Sequence, residues 1–308
     1  MTALPPSHPR DSGDAWVEAA DGRRFWGRYG AAGLLVHDER AGILLQHRAE
    51  WSHFGGTWGL PGGALHEGES AVDGAIREAG EEAGVPADAL QLAFTSVLDL
   101  GYWSYVTVVT RTARPFEARI GDAESLELRW VPRHEVEALP LHPGFASSWP
   151  ALRDRLDERI RVVVDAANVV GSRPDGWWRD RAGAAAKLIE RLGRLSESGV
   201  ESSEFVTEAG PRTGAGRSWP LFEVVLEGAA RAAGSAEVEP GASGSGGLLS
   251  VSSAEGSGDD AIVEVVGRPW AGATVVVTAD RELTGRVEQL GATVRGPGWL
   301  LGLLDELD

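Results

Sequence analysis

Gly63-Ala-Leu-His-Glu-Gly-Glu69-Ser-Ala-Val-Asp-Gly-Ala-Ile-Arg77-Glu78-Ala-Gly-Glu81-Glu82-Ala-Gly84-Val85 decides the first half of this 308-residue chain. As a pattern it is G-x5-E-x7-R-E-U-x-E-E-x-G-U, with U aliphatic or small. The spacing predicts a helix from about Ser70 to Ala83. Val72, Ala75, Ile76, Ala79 and Ala83 then form one apolar stripe, Arg77, Glu78 and Glu81 point the other way, and Glu82 lies at the stripe's edge. Glu78, Glu81 and Glu82 share a face. Carboxylates held so close repel one another, and a divalent cation compensates them; hard oxygen donors of this kind suit Mg2+ or Mn2+. An E-x-x-E-E helix alone reads equally as a solvated face with i, i+4 pairs such as Arg77 with Glu81. Just upstream, Trp58-Gly-Leu-Pro-Gly-Gly63 is turn-rich, and its glycines let backbone approach a phosphate or a metal closely.

With that turn in place, the pattern resembles the Nudix box, the signature of hydrolases that cleave nucleoside diphosphates linked to another moiety. The resemblance implies an α/β/α sandwich over residues 14–157. It also implies Glu78 and Glu82 as direct metal ligands, Glu81 as further ligand or base, the Gly62 carbonyl completing the shell, and Glu69 paired with Arg77. Ala79 departs from the larger aliphatic common there. Such enzymes often take one more carboxylate from outside the box, for which Glu124 and Glu127 are the candidates. The catalytic set expected is therefore Glu78, Glu81, Arg77 and Glu124. Substrate contacts are expected from Arg48, Trp58, Gly62 and Gly63, with a nucleotide as substrate and Mg2+ or Mn2+ as cofactor. Trp58, Tyr102 and Trp103 can stack on a base or sit in the core, and the segment from Leu139 to Phe145 can close over substrate or be an ordinary turn. The competing reading is a nucleotide sensor without catalysis, regulating its C-terminal partner; a pure binder, however, gains by neutralising repelling carboxylates.

Length predicts two domains, 14–157 and 159–308. No cysteine is present, so disulfides and thiolate metal sites are excluded. Residues 1–14 carry no apolar core of signal length, and no run approaches the ~18 apolar residues of a membrane span. A soluble, cytoplasmic protein without a membrane partner is expected. Formal net charge is −17, with 14 basic against 24 acidic residues in 1–158 and 15 against 22 in 159–308; Lys187 is the single lysine. Neither half is basic enough to bind duplex nucleic acid through phosphate neutralisation.

Along the chain, apolar runs at Ala31–His37, Ile43–Gln46, Ala93–Leu98, Ser104–Thr110 and Leu126–Val131 predict strands around the box helix, and Ser148–Arg159 a closing helix. Segments 196–217 and 234–247, rich in Gly, Ser and acids, predict loops. The second half opens with Val162-Val-Val-Asp165-Ala-Ala-Asn168, an apolar run ending in an acid, as expected of a buried parallel strand delivering a carboxylate at its C-terminal end. Leu248–Ser253 leads to Gly258-Asp259-Asp260, with Asp259 expected to cap a helix; Thr274–Thr278 leads to Asp280, and Gly291–Val294 is a last strand. Strand tips alternating with helices predict a doubly wound parallel sheet. This resembles the PIN-like nucleases of the NYN branch, and the resemblance implies Mg2+ ligands at Asp165, Asn168, Asp259 or Asp260, and Asp280, with short single-stranded RNA as partner. Many such nucleases carry a further acid, for which Glu190 and Glu223 are the candidates. Each Asp at a strand end is also a routine helix cap, worth ~1 kcal/mol. Asp175-Gly-Trp177-Trp178-Arg179-Asp180 offers charge and stacking surface for a base and a phosphate, or a turn before a capped helix from about Arg179 to Leu195.

Overall fold

The computed structural model describes residues 12–174, 176–205, 216–235 and 248–308. The chain divides into two compact units, Met1–Leu156 with Glu201–Arg217, and Asp157–Val200 with Ser218–Asp308. Of the predicted loops 196–217 and 234–247, residues 206–215 and 236–247 lie outside the described residues, as do residues 1–11 and Asp175, while the described part of the first holds the end of a helix at Ser198 and strand residues at Val200–Glu201 and Arg217 rather than loop alone.

In the first unit a hairpin, β1 (Trp16–Glu18) and β2 (Arg24–Trp26), precedes β3 (Ala31–Asp38), β4 (Gly42–Arg48), β5 (Trp58–Gly59), β6 (Gly62–Ala64), helix α1 (Ala71–Ala83), β7 (Leu90–Asp99), β8 (Ser104–Thr112), β9 (Ser125–Val131) and helix α2 (Pro143–Arg155). The main sheet runs β7-β8-β3-β4-β5, with β6 on β3 and β9 on β4. Strands β3 and β4 pair only at His37↔Ile43 and Asp38↔Gly42, and the other end of β3 is taken by β6, at Ala31↔Ala64 and Gly33↔Gly62. Strand β6 therefore wedges β3 from β4, and Gly62 and Gly63 stand in the wedge.

Because strand residues alternate between faces, Leu35, Ile43, Leu45 and Val109 turn to one side, where they bury Trp149, Leu152 and Leu156 of α2 and its following residue. Leu34 and Val36 turn to the other side, and α1 packs across β3 there. Its contact face is made of Gly74, Ala75, Ala79 and Ala83. A methyl on Gly74 would fall 2.4 Å from Leu65, so small residues set how near α1 lies. The Ser70 hydroxyl accepts from the Asp73 N–H (3.1 Å) to start the helix, and Gly84 at φ +63 closes it. Helix α2 begins five residues before the predicted Ser148, because His142 caps it and Pro143 occupies its first turn, where a missing N–H costs nothing.

Two short strands, β11 (Val200–Glu201) and β12 (Arg217–Ser218), border residues 202–216. Within the first unit the Arg217 N–H donates to Thr95 Oγ1 (2.8 Å) on β7.

The second unit holds β10 (Ile160–Asp165), α3 (Ala166–Gly171), α4 (Arg181–Ser198), β13 (Leu221–Leu226), β14 (Leu248–Ser253), α5 (Gly258–Gly267), β15 (Ala273–Val277), α6 (Arg281–Glu288), β16 (Thr293–Arg295) and α7 (Pro297–Asp305). Its five strands are all parallel, in the order β14-β13-β10-β15-β16. The order reverses between β10 and β15, the topological switch point at which open α/β sheets bind ligands. Strand β13 was not expected from the sequence. Helix α4 starts at Arg181, capped by Asp180, whose carboxylate accepts from the Gly183 N–H (2.8 Å). Asp259 does not cap α5: Ser257 holds that position and Asp259 lies in the first turn. No helix of the described residues is long and apolar enough to cross a membrane.

Candidate active site

Helix α1 presents the box acids in three different environments. Arg77 spends its donors locally: Nε and one terminal nitrogen on the two oxygens of Glu69 (2.8 and 3.0 Å), the other on Glu78 (2.8 Å), with the Ala64 carbonyl at 3.2 Å. The expected Glu69–Arg77 pair is present, and it holds Glu69 down at about 2, chiefly through those hydrogen bonds. Arg77 thus positions Glu78. Glu81 meets Arg77 only at 3.5 Å and leaves 62% of its side chain exposed.

Glu82 is not at the edge of the apolar stripe but inside it, 4% exposed. One carboxylate oxygen accepts from the Gly62 N–H (2.8 Å). Gly62 thus meets the box through its amide, which leaves its carbonyl out of this bond. Gly62 is forced by packing, since a methyl there would fall 2.3 Å from the Ala32 carbonyl oxygen. At Gly63 a methyl would fall 2.6 Å from Glu78 Oε1, so this strand admits the carboxylate only as glycine.

Two further acids reach the cluster. The Arg119 and Gly121 N–H groups donate to the Ala83 and Glu82 carbonyls (both 3.0 Å), docking the approach to β9 on the last turn of α1. That crossing delivers Asp122 and Glu124. Burial first, then Glu78, Asp122 and Glu124, push Glu82 up to about 8 against the pull of the Gly62 N–H; burial also raises Glu78, opposed by Arg77 and assisted by Glu81 and Glu124. Of the two outside candidates, Glu124 joins the cluster, whereas Glu127 is bound to Arg129 (2.7 Å). Asp122 was missed, as was Tyr105, whose hydroxyl stands where a Gly33 methyl would fall within 2.1 Å and whose phenol burial pushes up to about 12.

Among the described residues no three His, Cys, Asp or Glu side chains already stand at metal-holding spacing. The donor chemistry nonetheless fits a hard divalent cation: Glu82 is buried among acids, with no arginine, lysine or histidine paired to it among the described residues.

The predicted substrate contacts separate. Trp58 belongs to the core, stacked on His47 (4.8 Å) and beneath Arg129 (4.7 Å), and offers no free face for a base. Trp103 stacks on Phe25 (4.6 Å), while Tyr102 is exposed. Arg48 is half-buried, and its Nε donates to the His53 carbonyl (3.2 Å). It pairs with no carboxylate among the described residues.

In the second unit, Asp165 is buried at the tip of β10 and accepts from Thr278 Oγ1 (2.9 Å) and the Asn168 N–H (3.0 Å); Asn168 Oδ1 accepts from the Ala279 N–H (3.1 Å). Asp280 accepts from the Leu283 N–H (2.9 Å) and caps α6. Burial raises Asp165, with Glu227 and Asp280 adding to it; burial, then Asp280, Asp165 and Glu227, raise Asp259. The carboxylates that act on one another are thus Asp165, Glu227, Asp259 and Asp280. Asp260 instead faces Arg286 (2.6 Å) and is 71% exposed. Of the two candidates for a further acid, Glu190 is exposed on α4 and Glu223 acts on Arg161, whereas Glu227, just after β13, acts on Asp165 and Asp259. Of the aromatic pair, Trp178 is exposed and Trp177 lies under Arg181 (5.3 Å).

Residues 27–153 match the family model described as NUDIX domain. The chain is 47% identical over 166 residues to a Mycobacterium tuberculosis protein named "Putative 8-oxo-dGTP diphosphatase 3", covering 50% of this chain and 76% of that one. It is 40% identical over 164 residues to a "Nucleoside triphosphate pyrophosphatase/Nudix hydrolase fusion protein" of Bifidobacterium longum, covering 50% of this chain and 34% of that one. A crystal structure of a Nudix hydrolase from M. Smegmatis, RenU, shares 47% identity, covers 46% of this chain and 94% of its own, and has a TM-score of 0.43.

Proposed function

The chain belongs to the NUDIX family, and from that premise we propose that its first unit hydrolyses a pyrophosphate bond in a nucleoside diphosphate derivative, water attacking phosphorus in line. The observation that carries the reading is Glu82, a buried carboxylate surrounded by acids and stabilised by one backbone N–H. Glu78 and Glu82, with Glu81 and Glu124 at hand, would hold Mg2+ or Mn2+. When bound, the ion would supply charge neutralisation at the phosphate oxygens and acidify water. Arg77 keeps Glu78 oriented through the Glu69 brace. Glu81, exposed and loosely held, is the carboxylate free to take a proton from the attacking water. Arg48, lacking a carboxylate partner, is suited to a phosphate. The name of the mycobacterial relative puts an oxidised purine nucleoside triphosphate first in the substrate panel. That panel also holds ADP-ribose and capped dinucleotides, assayed by released phosphate or pyrophosphate with Mg2+ and with Mn2+. Turnover of at least one compound, lost in the Glu78→Gln, Glu82→Gln double variant, is expected; no compound turned over faster than by that variant would sink the reading.

For the second unit we propose a PIN-like ribonuclease acting on short single-stranded RNA. Four acids, Asp165, Glu227, Asp259 and Asp280, follow four strands of one parallel sheet, and Asp165 and Asp280 flank its switch point. This donor set suits a divalent cation. The net acidity disfavours duplexes, and a flexible strand passing Trp178 and Arg179 suits the site better. Labelled RNA incubated with the full chain and Mn2+ should be cut, and Asp165→Asn should abolish the cut; cleavage that survives in Asp165→Asn refutes the assignment.

A further inference from the structure

Arg48 closes a compact loop. Its N–H donates to the Thr57 carbonyl (2.9 Å), its carbonyl accepts from the Gly56 N–H (3.0 Å), and its Nε donates to the His53 carbonyl (3.2 Å). Inside, the Ser52 N–H and hydroxyl both donate to the Ala49 carbonyl (3.0 and 2.8 Å), and the Thr57 hydroxyl donates to the Phe54 carbonyl (2.6 Å). These bonds hold Phe54 at φ +56, the only non-glycine residue with positive φ among the described residues, and leave it 45% exposed. A bulky side chain in that region is strained, and such strain persists where surrounding structure imposes it, commonly at ligand sites. The ring is only about half withdrawn from water, so burial rewards the conformation less than it would a core phenyl.

The rings around Phe54 form a box. His53 lies against Phe54 (4.2 Å, 61°) and Trp16 (5.2 Å, 73°), and His142 meets Phe54 edge to face (4.8 Å, 86°). His142 Nδ1 accepts from the Gly144 N–H (3.1 Å), which leaves a neutral ring with its proton on Nε2. Burial, then Arg48 and His53, hold His142 down at about 4, and burial and Arg48 lower His53, so both imidazoles are neutral at physiological pH. Two guanidiniums border these rings: Arg48, whose Nε meets the His53 carbonyl, and Arg24, which lies over the Trp16 ring (4.7 Å).

We propose that this box is the nucleoside subsite: a nucleobase stacks on Phe54, His142 Nε2–H donates to an acceptor on the base, and Arg48 binds the adjoining phosphate. It deepens the hydrolase reading and rests on it for the identity of the ligand, but its test needs no turnover.

Calorimetry of the full chain in chelator, with deoxyguanosine monophosphate and separately with inorganic pyrophosphate, reads the subsite without catalysis. Phe54→Gly is the informative variant, because glycine accepts φ +56 without strain and the loop folds at least as well. It should weaken nucleotide binding about tenfold or more, the size of a lost base stack, and leave pyrophosphate unchanged. His142→Asn keeps a capping acceptor for α2 and should weaken the nucleotide about threefold to tenfold. Arg48→Gln should weaken both ligands. Absence of nucleotide binding in the unaltered chain, or binding within twofold of it in both Phe54→Gly and His142→Asn, overturns the subsite. Failure of the hydrolase reading would show separately, as no substrate turned over.

Discussion

Replacing Glu82 with glutamine should make the metal-free protein more stable, increasingly so as pH rises. The carboxyl rises from 4.5 in the unfolded chain to about 8 in the folded one. Below pH 4.5 both states hold the proton and Glu82 costs nothing. Between 4.5 and 8 the unfolded chain releases it while the folded chain keeps it, so stability falls as pH rises; above 8 the whole penalty stands. Each pH unit of that window is worth 1.36 kcal/mol, or ~5 kcal/mol across it, and local relaxation around the charge brings the expectation to about 2–5 kcal/mol. Glutamine is nearly isosteric, keeps an oxygen for the Gly62 N–H, and removes the ionisable group. Hydrogen exchange of the α1 peptide, in chelator and with both proteins at the same pH, compares the opening free energies directly. The gap between variant and parent should be near zero at pH 4 and grow through pH 8. Adding Mg2+ should stabilise the parent and not the variant. A gap independent of pH, or a variant less stable than the parent at pH 8, would refute the reasoning that Glu82 is a buried, uncompensated carboxylate.

Four other substitutions have definite outcomes. Gly63→Ala places a methyl 2.6 Å from Glu78 Oε1; kcat should fall about 100-fold with circular dichroism unchanged, because a displacement of ~1 Å suffices for that loss. Arg77→Ala leaves Glu69 and Glu78, both largely buried, without their cation and should cost about 3 kcal/mol of stability near neutral pH. That stability belongs to a carboxylate held near 2, so thermal melts should show it intact above pH 4.5 and lost as pH falls towards 2. In RNA cleavage assays Asp259→Asn should abolish activity, whereas Asp260→Asn should stay within twofold, losing only an exposed, solvent-screened ion pair.

Where local spacing dictated geometry, the sequence was readable. The box helix, its Ser70 start, the small-residue stripe and the Glu69–Arg77 brace all follow from periodicity or pattern within some twenty residues. What lay beyond reach depended on chain crossings. Asp122 joins Glu82 only because Arg119 and Gly121 dock on the last carbonyls of α1, and no periodicity encodes that. Tyr105 faces Gly33 through a parallel pairing of β3 with β8. Trp58, met beside glycines, suggested a stacking platform, yet the register His47↔Trp58 buries it. Glu227 is a different case. Leu221-Phe-Glu-Val-Val-Leu226-Glu227 is an apolar run ending in an acid, the same sign that marked Asp165, and the Glu at its third position masked it. Between Asp259 and Asp260 the sequence left a choice; in the fold Arg286 takes Asp260, and Asp259 is the one acted on by Asp280, Asp165 and Glu227.

The division of the chain has a practical consequence. Because Glu201–Arg217 belongs with Met1–Leu156, the polypeptide passes between the units three times, and no single cut separates them cleanly. A fragment ending at Leu156 would strip β7 of the Arg217 N–H at Thr95, and one starting at Asp157 would carry that stretch away from its own unit. Loss of activity or solubility in either fragment would therefore report a damaged sheet edge rather than dependence of one chemistry on the other. Point substitutions in the intact polypeptide are the means of silencing one site while sparing the second.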